Sequence, residues 1–263
     1  MTGMIPVNCP ERSFMFDVES ERGLGIEIVK TGGYEILTPT GELQDQLLRI
    51  EKAGRICYQS EKGPITQESA ARFIRMLIKR GHESVIEHSC LTVLFRNCSR
   101  GFTHEIVRHR LASFSQESTR YVDYAKGGEG PDLERFGLKC IAPPHRDEEE
   151  RVVLRDGRSL SFAEMVKEVQ EFYRALRKAG WPPEDARQIL PTAIKADIVV
   201  TTNFREWRHI FEMRTQKAAH WEIRGVMVKL LEELKQIVPP IFEDFVLAGV
   251  DQNGIKYFEK KSL

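Results

Sequence analysis

Arg108-His109-Arg110-Leu111-Ala112-Ser113-Phe114-Ser115-Gln116-Glu117-Ser118-Thr119-Arg120-Tyr121 is the stretch on which the reading of this chain turns. It crowds arginines, a histidine and short hydroxyl side chains into one run. Arginine offers a planar fork of donors that matches phosphate and carboxylate oxygens, and Ser and Thr add short hydrogen-bonding arms. A site for anions is one reading. Surface ion pairing is the other, with Glu105 beside Arg108 or His109 at i,i+3 and i,i+4, each pair adding about 0.2–0.5 kcal/mol. Residue chemistry alone leaves both standing. If residues 105–110 are helical, each step turns about 100°, so Arg108 and Arg110 project to nearly opposite sides. Such a fan suits two ligands across one seam rather than a single phosphate.

Working outward, Ser99 reads as the N-cap of a helix that delivers the run at its C-terminal end, and residues 90–96 before it form a β-rich stretch. Further upstream, residues 34–37 suit a strand and 41–58 a helix. Residues 67–80 suit a second helix, capped by Thr66 and stopped by Gly81. Ser84 and Glu87 have the spacing of a capping box on a short helix. Downstream, 138–142 suggests a strand, 146–151 a solvated charge run and Asp156-Gly157 a turn. Ser161 and Glu164 cap a periodic helix ending at Gly180, and Pro182-Pro183 opens a shorter one. Residues 198–202 suit a strand, 204–215 a helix and 218–238 a long amphipathic helix closed by Pro239-Pro240. The sum is a helix-rich α/β or α+β domain, with 1–30 an irregular leader, 122–160 a variable, peripheral insert and 251–263 a C-terminal tail.

Composition narrows the class. At 263 residues the chain can bury a proper core, and one large domain is expected. Basic and acidic residues balance at 39 each, so no global field favours nucleic acid or anionic lipid. The five cysteines include no C-x-x-C pair, which speaks against a disulfide framework or zinc site and suits a reducing cytoplasm. No apolar span reaches the roughly 18 residues of a membrane helix, and residues 1–21 do not read as a secretory signal.

Other constellations carry weaker signals. Arg205 and His209 are i,i+4 neighbours, Asn203 sits at a strand-to-helix junction as a plausible cap, and Arg214 lies near the helix end. Taken singly, these suit a capped amphipathic helix with a cationic solvent face. His82, Glu83, Glu87 and His88 lack the His-Glu-x-x-His spacing of a zinc helix, so no metal is expected. Ser118 has no G-x-S-x-G elbow around it, and neither a G-x-G-x-x-G nor a P-loop is present.

Arg108-His109-Arg110, followed after seven residues by Ser118, resembles the signature of the flavin-dependent thymidylate synthases, often called ThyX. Gly81-His82-Glu83-Ser84-x-x-Glu87-His88 is similar to that family's upstream histidine segment, and Ala186-Arg187-x-x-Leu190-Pro191 to its arginine helix. Asn203-x-Arg205-x-x-x-His209-x-x-x-x-Arg214, with Ala219-His220-x-Glu222-Ile223, is similar to its C-terminal signature. These blocks cover roughly 34–121 and 160–246, in the family's order.

The resemblance implies an α+β fold: a single domain over 31–250 with a central, mostly antiparallel sheet flanked by long helices, in a homotetramer whose sites lie between subunits. It implies reductive methylation of dUMP to dTMP, with methylenetetrahydrofolate as one-carbon donor and NADPH as reductant through FAD. Cofactor contacts are expected from His82, Ser84, Arg108, His109, Arg110, Gln116, Asn203, Arg205 and His209. Nucleotide contacts are expected from Glu105, Arg108, Gln116, Glu117, Ser118, Thr119, Arg120, Arg187 and Arg214, with Arg214 the catalytic residue. Ser118 is then a binding residue. The chain departs from the pattern at His209, where others have Asn, and at Gln116 and Glu117. Glu105 stands where some members have Gln, and is expected to face the base or pair with an arginine. Two other readings compete: a nucleic-acid phosphate clamp, against which the zero net charge counts, and a flavoprotein of this fold acting on another pyrimidine.

Overall fold

The computed structural model describes residues 18–19, 26–60, 63–125 and 137–261. Strands β1 (Val18–Glu19), β2 (Glu27–Val29) and β3 (Gly33–Ile36) precede helices α1 (Thr40–Cys57) and α2 (Gln67–Lys79). A 3-10 turn over Glu83–His88 leads into β4 (Cys90–Ser99), α3 (Arg100–Ile106) and β5 (Ser113–Gln116). Strands β6 (Lys139–Ile141), β7 (Val152–Val153) and β8 (Ser159–Leu160) are followed by α4 (Phe162–Lys178) and α5 (Pro183–Ala186). The chain ends through β9 (Lys195–Asn203), α6 (Phe204–Arg214), α7 (Trp221–Ile237), α8 (Pro239–Phe242), β10 (Phe245–Val250) and β11 (Lys256–Lys260).

The frame of the molecule is a four-stranded antiparallel sheet in the order β3-β4-β9-β5. Alternation explains it: Leu91, Val93 and Phe95 of β4 and Ile198 and Val200 of β9 are fully buried, while Thr92, Leu94, Val199 and Thr201 between them are half-buried. The buried face packs against α1, α2, α6, α7 and α8 in one large core that includes Trp207, Phe211 and Phe242. At α1 and α2 the chains approach so closely that a Cβ added to Gly54 would lie 2.3 Å from the Phe73 ring. A second core gathers Ile26 and Ile28 of the β2 segment, Leu138 and Cys140 around β6, and Val166 and Tyr173 of α4. Within this second core Cys140 forms an isolated antiparallel bridge with Ile194, just before β9.

Several helix starts are fixed by the expected chemistry. Thr66 and Ser69 cap α2 reciprocally, and Ser161 and Glu164 do the same for α4. Ser99 accepts from Phe102 N at α3, and Asn203 from Glu206 N at α6. Other expectations need correcting. Ser84 and Glu87 form no capping box: His82 occupies the cap position without a side-chain capping bond, and Glu87 turns to Arg205 instead. Helix α3 stops at Ile106, so the arginine run leaves the helix earlier than expected. The long C-terminal helix begins at Trp221 rather than 218. Residues 256–260 pair with β10 by backbone hydrogen bonds, so the expected tail holds a strand. Glu27–Val29, expected within the leader, pairs in parallel with β6, and Leu138 and Cys140 are fully buried rather than peripheral. Residues 1–17 and 20–25 of the leader and 126–136 of the insert lie outside the described residues. Among the described residues no helix is long and apolar enough to cross a membrane.

Candidate active site

The C-terminus of α3, the turn after it and the whole of α6 converge on Arg214. Glu222, buried on α7, holds Ser99 through its backbone N (2.6 Å) and hydroxyl (2.5 Å), which fixes the start of α3 and hence where Glu105 emerges. Because α3 ends at Ile106, residues 107–112 run as linked turns in which His109 N bonds Ile106 O and Ala112 N bonds His109 O. The consequence is an alternation: Arg108 and Arg110 are exposed and His109 between them is buried. The two arginines still splay, through a turn rather than a helix.

His109 points at Arg214. The Arg214 guanidinium donates from Nε to His109 Nε2 (3.0 Å), from Nη1 to Glu105 Oε2 (2.8 Å) and from Nη2 to the Glu105 carbonyl (2.9 Å). Glu105 thus pairs with an arginine, one of the two outcomes expected for it. Burial works against the Arg214 charge, Glu105 supports it and nearby Arg108 opposes it. Arginine remains cationic under such loads. Burial, Arg214 and His209 together lower the His109 pKa to about 4, so its imidazole is neutral near pH 7. On its other side, His109 Nδ1 lies 3.4 Å from Oε1 of Glu206, a buried carboxylate whose pKa is raised by burial. The exposed His209 ring stands edge-on to His109 at 5.5 Å between centroids. Ligand atoms of His109, Glu206 and His209 lie within 4.8 Å of one another.

A second group lies where β5 ends. Gln116 Nε2 donates to Thr103 Oγ1 (2.6 Å), tying the strand to α3. The Glu117 carboxylate accepts from Lys195 Nζ (2.8 Å) and Asp197 N (3.2 Å), so β9 already engages it. Ser118 Oγ accepts from Arg120 N (3.3 Å), and among the described residues no base is bonded to it. Arg187 reaches Thr119 Oγ1 (3.2 Å), and Arg120 pairs with Glu184 in the open (3.4 Å). A third group surrounds the 3-10 turn: Ser84 is exposed, His82 bonds Tyr58 through Nδ1, and Arg205 of α6 pairs with Glu87 (2.6 Å). Beneath it the buried Arg208 grips Asp244 (2.7 Å) and Glu83 (3.3 Å), joining α6 to this turn. Helix α6 therefore serves two groups at once.

Arg108 and Arg110 make no hydrogen bond or ion pair among the described residues. Exposed guanidinium groups without partners among the described residues, with that of Arg108 near Arg214, are donors free for an anionic ligand. Among the described residues the potential ligand atoms that approach one another belong to His109, Glu206 and His209; the two histidines were marked in the sequence and Glu206 was not. Tyr58, Thr103 and Lys195 were likewise unmarked, since each meets its site residue only through the fold.

A family model described as thymidylate synthase complementing protein matches residues 40–240. The flavin-dependent thymidylate synthase of Geobacter sulfurreducens is 34% identical over 200 residues, covering 74% of this chain and 80% of that protein. Its counterpart from Corynebacterium efficiens is 35% identical over 210 residues, covering 74% and 78%. Among solved structures, a UMP/dUMP methylase, PolB, from Streptomyces cacaoi, bound with 5-Br UMP, superposes with a TM-score of 0.61 at 21% identity, over 83% of this chain and 95% of that one. ThyX from Helicobacter pylori with FAD and dUMP gives 0.58 at 21%, over 81% and 98%. These two show the shared fold, and the sequence matches decide membership: the chain belongs to the flavin-dependent thymidylate synthases.

Proposed function

We propose that this protein methylates dUMP to dTMP, with methylenetetrahydrofolate as one-carbon donor and NADPH as reductant, using FAD. The observation that carries the proposal is Arg214, held by Glu105 and His109 beside the unpaired Arg108. The residues present suit both an anionic cofactor and a nucleotide. Arg108, His109, Arg110, Gln116, Asn203, Arg205 and His209, with His82 and Ser84 across α6, are assigned to FAD. Glu105, Arg108, Gln116, Glu117, Ser118, Thr119, Arg120, Arg187 and Arg214 are assigned to the nucleotide, with Glu117 acting through Lys195 and the loop backbone.

When bound, the flavin supplies hydride and passes on the one-carbon unit. The chain's own residues prepare the base. A fixed guanidinium beside the uracil ring stabilises negative charge from ionisation of nitrogen 3, which activates carbon 5 without a protein nucleophile. Glu105 and His109 keep that guanidinium oriented before substrate arrives, so no reorganisation is needed at the moment of reaction. Arg187 and Arg120, beside the Ser118 and Thr119 hydroxyls, suit the nucleotide phosphate.

The protein is proposed to act as a homotetramer in the cytoplasm, with each site shared between subunits. In support, Leu111 (74% exposed) and Tyr121 (81% exposed) flank the arginine run, and the sheet leaves Leu94 and Val199 only half-covered. Cys57, Cys90, Cys98 and Cys140 are all unpaired, which suits a reducing compartment. The test is direct: purified protein supplied with FAD, dUMP, methylenetetrahydrofolate and NADPH is expected to form dTMP. A colourless protein that forms none and instead binds polynucleotide with a steep salt dependence would replace this reading with a phosphate clamp.

A further inference from the structure

Glu206 has no part in the proposed contacts with cofactor or nucleotide, yet it is buried within reach of His109, whose imidazole touches Arg214. A neutral imidazole carries one proton, on one of two nitrogens. In His109 the observed geometry selects one of them: Arg214 Nε–H donates to Nε2, so while that bond is made Nε2 offers its lone pair and the proton sits on Nδ1. Nδ1–H then needs an acceptor in a buried place. The group 3.4 Å away is the Glu206 carboxylate.

We infer that Glu206 is a positioning residue for the thymidylate reaction: it holds His109 in the Nδ1–H tautomer, and through His109 it aims the Arg214 guanidinium. The chain of contacts runs Glu206, His109, Arg214, Glu105, so the guanidinium is braced by a carboxylate directly on one side and through an imidazole on the other. Local structure keeps Glu206 in place. Asn203 caps its backbone N–H (2.9 Å), and in the first turn of α6 a carboxylate is favoured by the helix dipole. The side chain is left facing His109, with the exposed His209 ring nearby.

A divalent cation bound by His109, Glu206 and His209 is the competing use of the same atoms. It fits worse. A metal on His109 Nδ1 would place the ring proton on Nε2, facing the Arg214 Nε–H donor, and the hydrogen bond seen at 3.0 Å would be lost.

The inference rests on the role proposed for Arg214, and its first test needs no turnover. Magic-angle-spinning 15N spectra of the full-length protein with labelled histidine, with His109→Gln as the assignment reference, are expected to show protonated Nδ1 and bare Nε2 at His109. Glu206→Met is expected to mix the tautomers and lower kcat on the order of 10–100-fold, as loss of an orienting partner does for a ligating histidine. The KM for dUMP is expected to stay within about threefold, because the partner acts on orientation rather than binding. Glu206→Gln, whose Oε1 still accepts from Nδ1–H, is expected to keep the tautomer and most of kcat. A proton on Nε2 in the wild type would overturn the inference even if no Glu206 variant folds. So would Glu206→Met with wild-type kcat, a Gln variant no better than Met, or a stoichiometric zinc complex ligated by His109 Nδ1. Failure of the wild type to form dTMP would instead refute the function, and the tautomer would still decide this point.

Discussion

Replacing Arg214 by alanine removes three contacts at once, and the structure separates their consequences. The carboxylate of Glu105, its side chain 25% exposed, can turn to water when its partner is gone, so that loss is partly recovered. His109 Nε2 is buried and cannot, and an orphaned buried acceptor costs about 1–3 kcal/mol. A net destabilisation of about 2 kcal/mol is expected, which lowers Tm by about 4–8 °C in a chain of this size. Activity is expected to fall much further. Loss of a preorganised electrostatic group costs about 2.7–4 kcal/mol in the barrier, or roughly 10²–10³ in kcat. The two effects are separable below the melting range. Thymidylate formation at saturating dUMP gives kcat, visible absorbance gives bound FAD and light scattering gives the assembly. Arg214→Ala is expected to keep flavin and assembly and lose turnover. Arg214→Lys keeps the charge but cannot reach Glu105 and His109 together, so it is expected to recover only about tenfold. An alanine variant with kcat within about threefold of wild type would refute the role argued for the guanidinium.

His109 gives the protein a pH signature. Its pKa falls from 6.5 to about 4 on folding, so between those values the unfolded chain binds the extra proton and stability rises with pH, reaching its full value above 6.5. The contribution is at most about 3 kcal/mol, and urea unfolding at about pH 4.5 and 7 is expected to show a smaller pH dependence in His109→Gln than in wild type; equal slopes would contradict the shift. Arg208→Met leaves Asp244 charged and buried, which is expected to cost about 3–5 kcal/mol by chemical unfolding, with more than half regained in Arg208→Met/Asp244→Leu. Gly54→Ala forces a methyl into the Phe73 ring and is expected to cost about 1–3 kcal/mol by the same measurement, whereas no loss would show that α1 and α2 can separate freely.

What was legible in the sequence is what neighbours along the chain determine. Thr66, Ser99, Ser161 and Asn203 announced helix starts because a cap and its donor are three residues apart. The strand Ser113–Gln116 was hidden inside a run of polar residues, since its pairing partner is β9, distant in sequence. The strand Lys256–Lys260 was hidden for a similar reason, its hydrogen bonds depending on β10 and a bulge near Leu247. At the site, the arginines were visible as chemistry and Glu105 as a partner for one of them. Glu206 was not, because nothing in Asn203-Phe204-Arg205-Glu206 tells that its carboxylate will meet His109. Helix α3 was read too long because Val107 and Arg108 carry no stop signal; the turn is imposed where His109 is drawn inward to Arg214.

The central claim is that this chain methylates dUMP through a bound flavin, and its optical spectrum tests that most directly. FAD-loaded protein is expected to bleach on adding NADPH without oxygen, and to regain its colour with stoichiometric dTMP only when dUMP and methylenetetrahydrofolate are both added. Flavin that bleaches but recolours without forming dTMP, or a purified protein with no affinity for FAD, would contradict the account.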